Sequence, residues 1–183
     1  YYQLDFEAYA IAMFHPVTTE IDQMEVYAQN FVAALLADHH NYLVVYPNND
    51  LGSRLILKAY EALNGNPRFR VIPSLRFEYF LTLLKNSQFI IGNSSAGIRE
   101  APYYGIPIIN IGTRQQNRAV HADILHVDYQ KAAIGAALDM IDIHKVNVGD
   151  SDFGQGNSAQ LFLECLQMTN FWQMNQQKQF RDL

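Results

Sequence analysis

The sequence predicts an open α/β fold of three layers, αβα, built on six parallel, doubly wound strands. Three observations carry this reading. Short apolar runs alternate with segments of helical periodicity along nearly the whole chain. The runs are apolar at consecutive positions, as strands covered on both faces must be. The two loops richest in polar side chains, 15–19 and 92–95, follow the first and fourth strands. In the strand order 3-2-1-4-5-6 those strands are neighbours, and the ligand crevice opens between their carboxyl ends. A Rossmann-like domain is therefore expected.

The elements follow in order. Residues 10–14 are the first strand. His15-Pro16-Val17-Thr18-Thr19 leaves it as a loop. Thr19 and Asp22 have the spacing of a capping box, with Asp where Glu is usual, and predict a helix over 20–38. Ile21, Met24, Tyr27, Ala28, Phe31 and Leu35 fall on one face of it. Residues 42–46 form the second strand and 47–53 a loop. A helix over 54–63 is stopped by Asn64-Gly65. The third strand is 69–72, followed by a helix over 77–85. The fourth strand, 89–91, runs into Gly92-Asn93-Ser94-Ser95, whose small residues open a helix over 96–103. Residues 106–111 and 124–127 are the fifth and sixth strands. A helix over 129–144, a polar Gly-rich loop over 145–156 and a last helical stretch from about Asn157 complete the chain. No internal repeat or low-complexity tract breaks the pattern, so one domain spanning 1–183 is expected. Residues 1–7 have no pattern and the chain opens without Met, as a piece of a longer protein would.

Composition excludes several function classes. Hydrophobic residues make up 49% and charged residues 17% of 183, which is a folded globular chain and not a disordered one. The net charge is −5, the pI is near 5.6, and no basic stripe is present, which argues against nucleic acid as a partner. No apolar run approaches the ~20 residues of a membrane span and no signal-like segment opens the chain. A cytoplasmic protein without a membrane partner is expected. Cys165, the single cysteine, lies in an apolar stretch and is expected to be a small core residue.

The G-x-G-x-x-G fingerprint is absent after the first strand, where His-Pro stands, so no nicotinamide or flavin cofactor is expected. The turn from the fourth strand into Ser94-Ser95 would leave N–H groups unpaired at a helix start, a site for a phosphate or another anion. Arg114 and Arg118, after the fifth strand, could clamp it. The other reading of Asn-Ser-Ser, a helix N-cap and nothing more, stays open. His15 stands at the mouth of the crevice, where imidazole could bond a diphosphate or shuttle a proton near neutral pH; a helix-capping role is the alternative. Asn48 could read a base or sugar, or serve only the Pro-Asn-Asn-Asp turn. Glu100 could accept two ribose hydroxyls, or be a solvated acid. The histidines 39, 40, 121, 126 and 144 show no metal-ligand spacing, and no metal is expected. No close pair of acids near the crevice loops offers a general acid and base.

His15-Pro16-Val17-Thr18-Thr19, Tyr46-Pro47-Asn48-Asn49-Asp50-Leu51-Gly52-Ser53 and the block from Gly92 through Arg118 resemble the C-terminal domain of the hydrolysing UDP-N-acetylglucosamine 2-epimerases of the sialic-acid pathway. The resemblance covers nearly the whole chain, and Gly-Asn-Ser-Ser-x-Gly-x-x-Glu with Gly-Thr-Arg-Gln is its most specific part. It implies the C-terminal half of a two-domain GT-B arrangement that binds UDP. By motif it implies that His15 approaches the diphosphate and the reacting sugar and that Asn48 lies near the nucleotide. Ser94 and Ser95, with Gly97 in the same loop, would hold the diphosphate, and Arg114 would pair with it. Glu100 would take the ribose hydroxyls. Ser74 and Leu75 would read the uracil, although relatives carry His-Val there. Asn117 and Gln155 also depart from the family pattern. The resemblance implies elimination of UDP to a 2-acetamidoglucal and hydration to N-acetylmannosamine, with the proton-moving acids on an N-terminal domain not contained in this chain. It implies no cofactor, a UDP-sugar substrate, a homo-oligomeric full-length protein, and a chain inactive by itself. Alternatives are a hydrolysing epimerase for a UDP- or GDP-linked 2,4-diacetamido-trideoxyhexose, a GT-B glycosyltransferase, and a nucleotide-binding module without a catalytic half.

Overall fold

The computed structural model describes residues 4–118, 124–141, 153–154 and 156–173. Its strands are β1 (Ala10–Met13), β2 (Tyr42–Val45), β3 (Phe69–Ile72), β4 (Ile90–Gly92), β5 (Ile108–Ile111) and β6 (Ile124–Val127). They form one sheet in the order β3-β2-β1-β4-β5-β6, every pair parallel, as the sequence predicts. Met13 is the partner of both Val45 and Gly92, so β1 sits at the switch point. β2, β4 and β5 are buried throughout, while β3 and β6 at the edges expose Arg70 and His126.

Alternation along β1 divides the core. Ala10, Ala12 and Phe14 face one layer with Met24, Phe31, Ile56 and Ile134. Ile11 faces the other, with Leu43, Phe80, Leu84 and Ile98. The first layer holds α1 (Met24–Ala37), α2 (Ser53–Tyr60) and α6 (Lys131–Ile141). The second holds α3 (Phe77–Lys85), α4 (Ala96–Arg99) and α5 (Ala101–Tyr104). Phe14 stacks on Phe31 at 4.9 Å between centroids, and both are fully buried. Each such side chain contributes about 1.5–3 kcal/mol by leaving water.

Four local differences from the sequence reading have physical causes. The helix expected from Glu20 begins instead as a 3-10 turn, Thr18–Gln23, capped by Val17 without a side-chain bond and kinked at Glu20 (φ −121°, ψ 25°). The capping box does not form, and the Glu20 carboxylate is engaged by the Thr113 hydroxyl at 2.5 Å. The helix expected over 96–103 is two single turns that meet at Glu100. Pro102 has no N–H to continue the first turn, and Gly105 closes the second in the left-handed region (φ 67°). The fifth strand starts at Ile108 because the Ile106 N–H caps α5 on the Ala101 carbonyl and Pro107 has none to give. The second helix ends at Tyr60 and continues as a 3-10 turn, Glu61–Leu63. The predicted extension of α6 to 144 lies outside the described residues, as do His121, His144 and Gln155.

The chain divides into two compact units, Tyr1–Asp150 and Ser151–Leu183. In the second, α7 (Ser158–Gln167) and α8 (Thr169–Trp172) bury none of their residues. Cys165, expected in the core, is exposed, because among the described residues of this unit nothing packs over the short helix that carries it. Among the described residues no helix is long and apolar enough to cross a membrane.

Candidate functional site

The loops that follow β1, β4 and β5 meet at the carboxyl ends of those strands. Glycine makes the approach possible. At Gly92 φ is +135°, and a Cβ would lie 1.9 Å from the Met13 carbonyl oxygen. Asn93 follows, fully buried. Its N–H bonds the Met13 carbonyl at 3.0 Å. Its side-chain Oδ1 accepts from the His15 N–H at 2.6 Å, and its Nδ2 donates to the His15 carbonyl at 2.8 Å. The Asn93 carbonyl accepts from Arg114 Nη1 at 3.1 Å and from Gln115 Nε2 at 2.9 Å.

His15 is buried to 9% exposure. Its Nδ1 accepts a hydrogen bond from the Asn48 backbone N–H at 3.0 Å. An imidazole nitrogen that accepts from an N–H carries no proton, so the proton of the neutral ring sits on Nε2. Burial, with the Arg114 charge adding to it and Asp50 opposing, lowers the pKa from 6.5 to about 4. Of the two roles expected for His15, this environment favours the hydrogen-bond donor over the proton shuttle. The ring is a neutral Nε2–H donor across the ordinary pH range.

The anion-site geometry also differs from expectation. α4 has four residues, too few for a useful macrodipole. Among the described residues no protein acceptor meets the Ser94 or Ser95 N–H. Ser94 Oγ accepts from the Ala96 N–H at 3.3 Å, so Ser94 does act as a local cap and keeps its hydroxyl proton to donate. Gly97 is buried with its N–H on the Ser94 carbonyl, and an added Cβ would press on Ile108 at 3.3 Å, which gives it a packing reason. Arg114 spends one nitrogen on Asn93 and is half-buried; burial and the neighbouring Arg118 lower its pKa. Its remaining N–H groups suit an anion. Arg118 is exposed.

A cavity of about 290 Å³ adjoins this loop, lined by Leu75, Phe77, Phe80, Ser95 and Glu100 among others. It offers an apolar wall, an exposed aromatic ring in Phe77 and a carboxylate. Burial raises the pKa of Glu100. Ser74 is exposed and outside the lining. Asn48 donates from Nδ2 to Asp50 at 2.5 Å, while its buried Oδ1 meets no donor among the described residues.

Sequence reasoning missed Asn93, Gln115, Glu20 and Phe77. Asn93 had been absorbed into a cap motif, and Glu20 into a helix start. Only the amphipathic position of Phe77, first in its helix and facing the crevice loops, was a readable signal. Glu20 meets the Thr113 hydroxyl and Asp50 the Asn48 amide, each on a different loop. Glu20 also keeps a buried Oε2 that meets no hydrogen-bond partner among the described residues. Gly112 lets the Tyr129 ring lie against the backbone, where a Cβ would be 2.0 Å from it, and the Thr113 N–H donates to the Tyr129 hydroxyl at 3.2 Å. Far from this crevice, side-chain atoms of Asp38, His39 and His40 able to bind a metal lie within 4.8 Å of one another, three consecutive residues without the usual ligand spacing. Asp38 Oδ2 there already accepts from the Tyr42 hydroxyl and from His40 twice, which is how a network stabilises a helix end.

A family model described as UDP-N-acetylglucosamine 2-epimerase matches residues 2–167. A UDP-N-acetylglucosamine 2-epimerase of Neisseria meningitidis serogroup B is 43% identical over 186 residues, covering 100% of this chain and 49% of its own length. A UDP-N,N'-diacetylbacillosamine 2-epimerase (hydrolyzing) of Legionella pneumophila is 29% identical over 159 residues, 86% of this chain and 41% of its own length. Among solved structures, the UDP-GlcNAc 2-epimerase of Methanocaldococcus jannaschii in complex with UDP-GlcNAc and UDP superposes with a TM-score of 0.69. The match covers 87% of this chain and 45% of that one at 20% identity, which shows a shared fold. The chain spans about half the length of the relatives it matches.

Proposed function

The chain belongs to the UDP-N-acetylglucosamine 2-epimerase family, and from that premise we propose that it is the nucleotide-binding half of a hydrolysing 2-epimerase. The observation that carries the reading is the junction of the His15, Asn93 and Arg114 loops beside a cavity that ends in Glu100. Such a site suits a nucleoside diphosphate. The diphosphate would lie on the unpaired Ser94 and Ser95 N–H groups and on Arg114. The nucleoside would enter the cavity, its base against Leu75 and Phe77 and its ribose hydroxyls on Glu100. Asn48 would border the nucleotide, and Ser74 would lend backbone groups to the uracil.

The chemistry follows from these positions. Loss of the C2 proton and rupture of the C1–O bond expel UDP and leave a 2-acetamidoglucal. Negative charge grows on the departing phosphate oxygen, and a neutral His15 Nε2–H with Arg114 would stabilise it there. Water then adds across the double bond to give N-acetylmannosamine. The base that takes the C2 proton would come from the part of the protein outside this chain. The sugar alternative, a diacetamido-trideoxyhexose, rests on the more distant relatives and is not favoured.

Two measurements test this. UDP should raise the melting temperature of the chain; ligand at 100 times its dissociation constant adds about 2.7 kcal/mol. The full-length protein should release UDP and N-acetylmannosamine in equal amounts, while this chain alone binds UDP without turnover. Absence of a melting shift at millimolar UDP overturns the binding assignment. Formation of UDP-N-acetylmannosamine without UDP release overturns the hydrolysing one.

A further inference from the structure

Asn93 engages all four of its polar groups. Its side-chain amide meets both backbone polar groups of His15, the Oδ1 taking the N–H and the Nδ2 giving to the carbonyl. Those two partners fix the orientation of the amide, since the opposite orientation would set donor against donor and acceptor against acceptor. The β1–β4 ladder pairs Met13 with Gly92. Beyond that pair a side chain takes over the work of the backbone and carries the pairing on to His15, two residues past Met13.

Two consequences follow. The His15 backbone is pinned at its N–H and its carbonyl, and the ring is pinned at Nδ1 by Asn48. Only Nε2 is left, so a proton donor of fixed position and fixed tautomer results. The second consequence lies at the Asn93–Ser94 peptide. In a trans peptide the carbonyl and the following N–H point in opposite directions. Arg114 and Gln115 hold the Asn93 carbonyl from one side, so the Ser94 N–H is turned to the other. One residue therefore sets both the imidazole and the first free N–H of the anion loop.

We propose that Asn93 is the positioning residue of this site, holding the His15 imidazole in register with the Ser94–Ser95 loop and acting on the reaction through His15. The inference rests on the reading above that His15 faces the diphosphate. A purely structural Asn93 would lower stability and would add its effect to that of any other substitution. A residue that acts through His15 has nothing left to lose once the imidazole is gone.

The experiment is a double-mutant cycle in the full-length protein, read by UDP release from UDP-N-acetylglucosamine. The variants are His15→Ala, Asn93→Ala and the pair, with UDP affinity measured by calorimetry. Asn93→Ala is expected to lower kcat by ~10²-fold, the scale of a misplacement of about 1 Å, with KM and UDP affinity changed by no more than a few-fold. The double variant should be no slower than His15→Ala. Asn93→Asp keeps the acceptor for the His15 N–H and loses the donor to its carbonyl. It supplies the cycle if Asn93→Ala does not fold, with the same expected non-additivity. Additive losses, or a folded Asn93 variant within twofold of the parent, overturn this inference and leave the proposed function standing. Full turnover by His15→Ala overturns the role of His15, and the inference with it.

Discussion

Lowering the pH isolates the protonation state of His15. The perturbation is a titration from pH 7.5 to 4, made on the parent protein and on His15→Gln. In the folded chain the imidazole has a pKa of about 4 against 6.5 in its ordinary state. The unfolded chain therefore binds a proton that the folded chain refuses. The sign follows from linkage: folding is unpenalised above pH 6.5, loses stability as pH falls from 6.5 to 4, and bears the whole loss below 4. The interval is worth about 3 kcal/mol at ~1.4 kcal/mol per pH unit. Burial is the main cause, and the Asn48 N–H on Nδ1 gives it a geometric basis, since protonation there would break that bond. Urea unfolding at pH 7.5, 6, 5 and 4 should show the parent losing about 3 kcal/mol more than His15→Gln over the range. Nitrogen-15 chemical shifts of the ring should report a proton on Nε2 alone at pH 7. An imidazole that titrates near 6.5, or carries its proton on Nδ1, would refute the reasoning.

Two further outcomes are expected. Glu100→Ala should weaken UDP binding by ~1.5–3 kcal/mol and leave pyrophosphate binding nearly unchanged, because pyrophosphate has no ribose hydroxyls. Equal losses in calorimetry would mean that Glu100 acts through the fold. Gly92→Ala should destabilise the protein by on the order of 3 kcal/mol or more, since its Cβ would meet the Met13 carbonyl at 1.9 Å with φ at +135°. An unchanged urea midpoint would contradict the close approach of β4 to β1.

Periodicity and punctuation were enough for the framework. The alternation of apolar runs with amphipathic segments specifies strands and helices because burial of a face is a local, repeating demand on the sequence. The strand order and the crevice between β1 and β4 followed, and so did the loops that gather there: 15–19, 92–95 and the Arg114 stretch. Helix ends and single-turn helices were less legible. Glu20 reads as a capped start, yet its carboxylate goes to Thr113, 93 residues away. Residues 96–103 read as one helix, yet Pro102 and the demands of β5 divide it.

The contents of the site depended on the fold. Asn93 looks like any cap residue in one dimension, and its partner lies 78 residues earlier. His15 reads as a group that titrates near neutrality until burial and Arg114 act on it. Phe77 becomes the wall of a cavity only when α3 packs beside Glu100. The sequence by itself determined which segments form strands, how they wind and which loops meet beyond β1 and β4, because those follow from short-range patterns of polarity. Only the tertiary structure decided hydrogen-bond partners, tautomer and protonation. These depend on atoms brought together from distant parts of the chain and on the water they exclude.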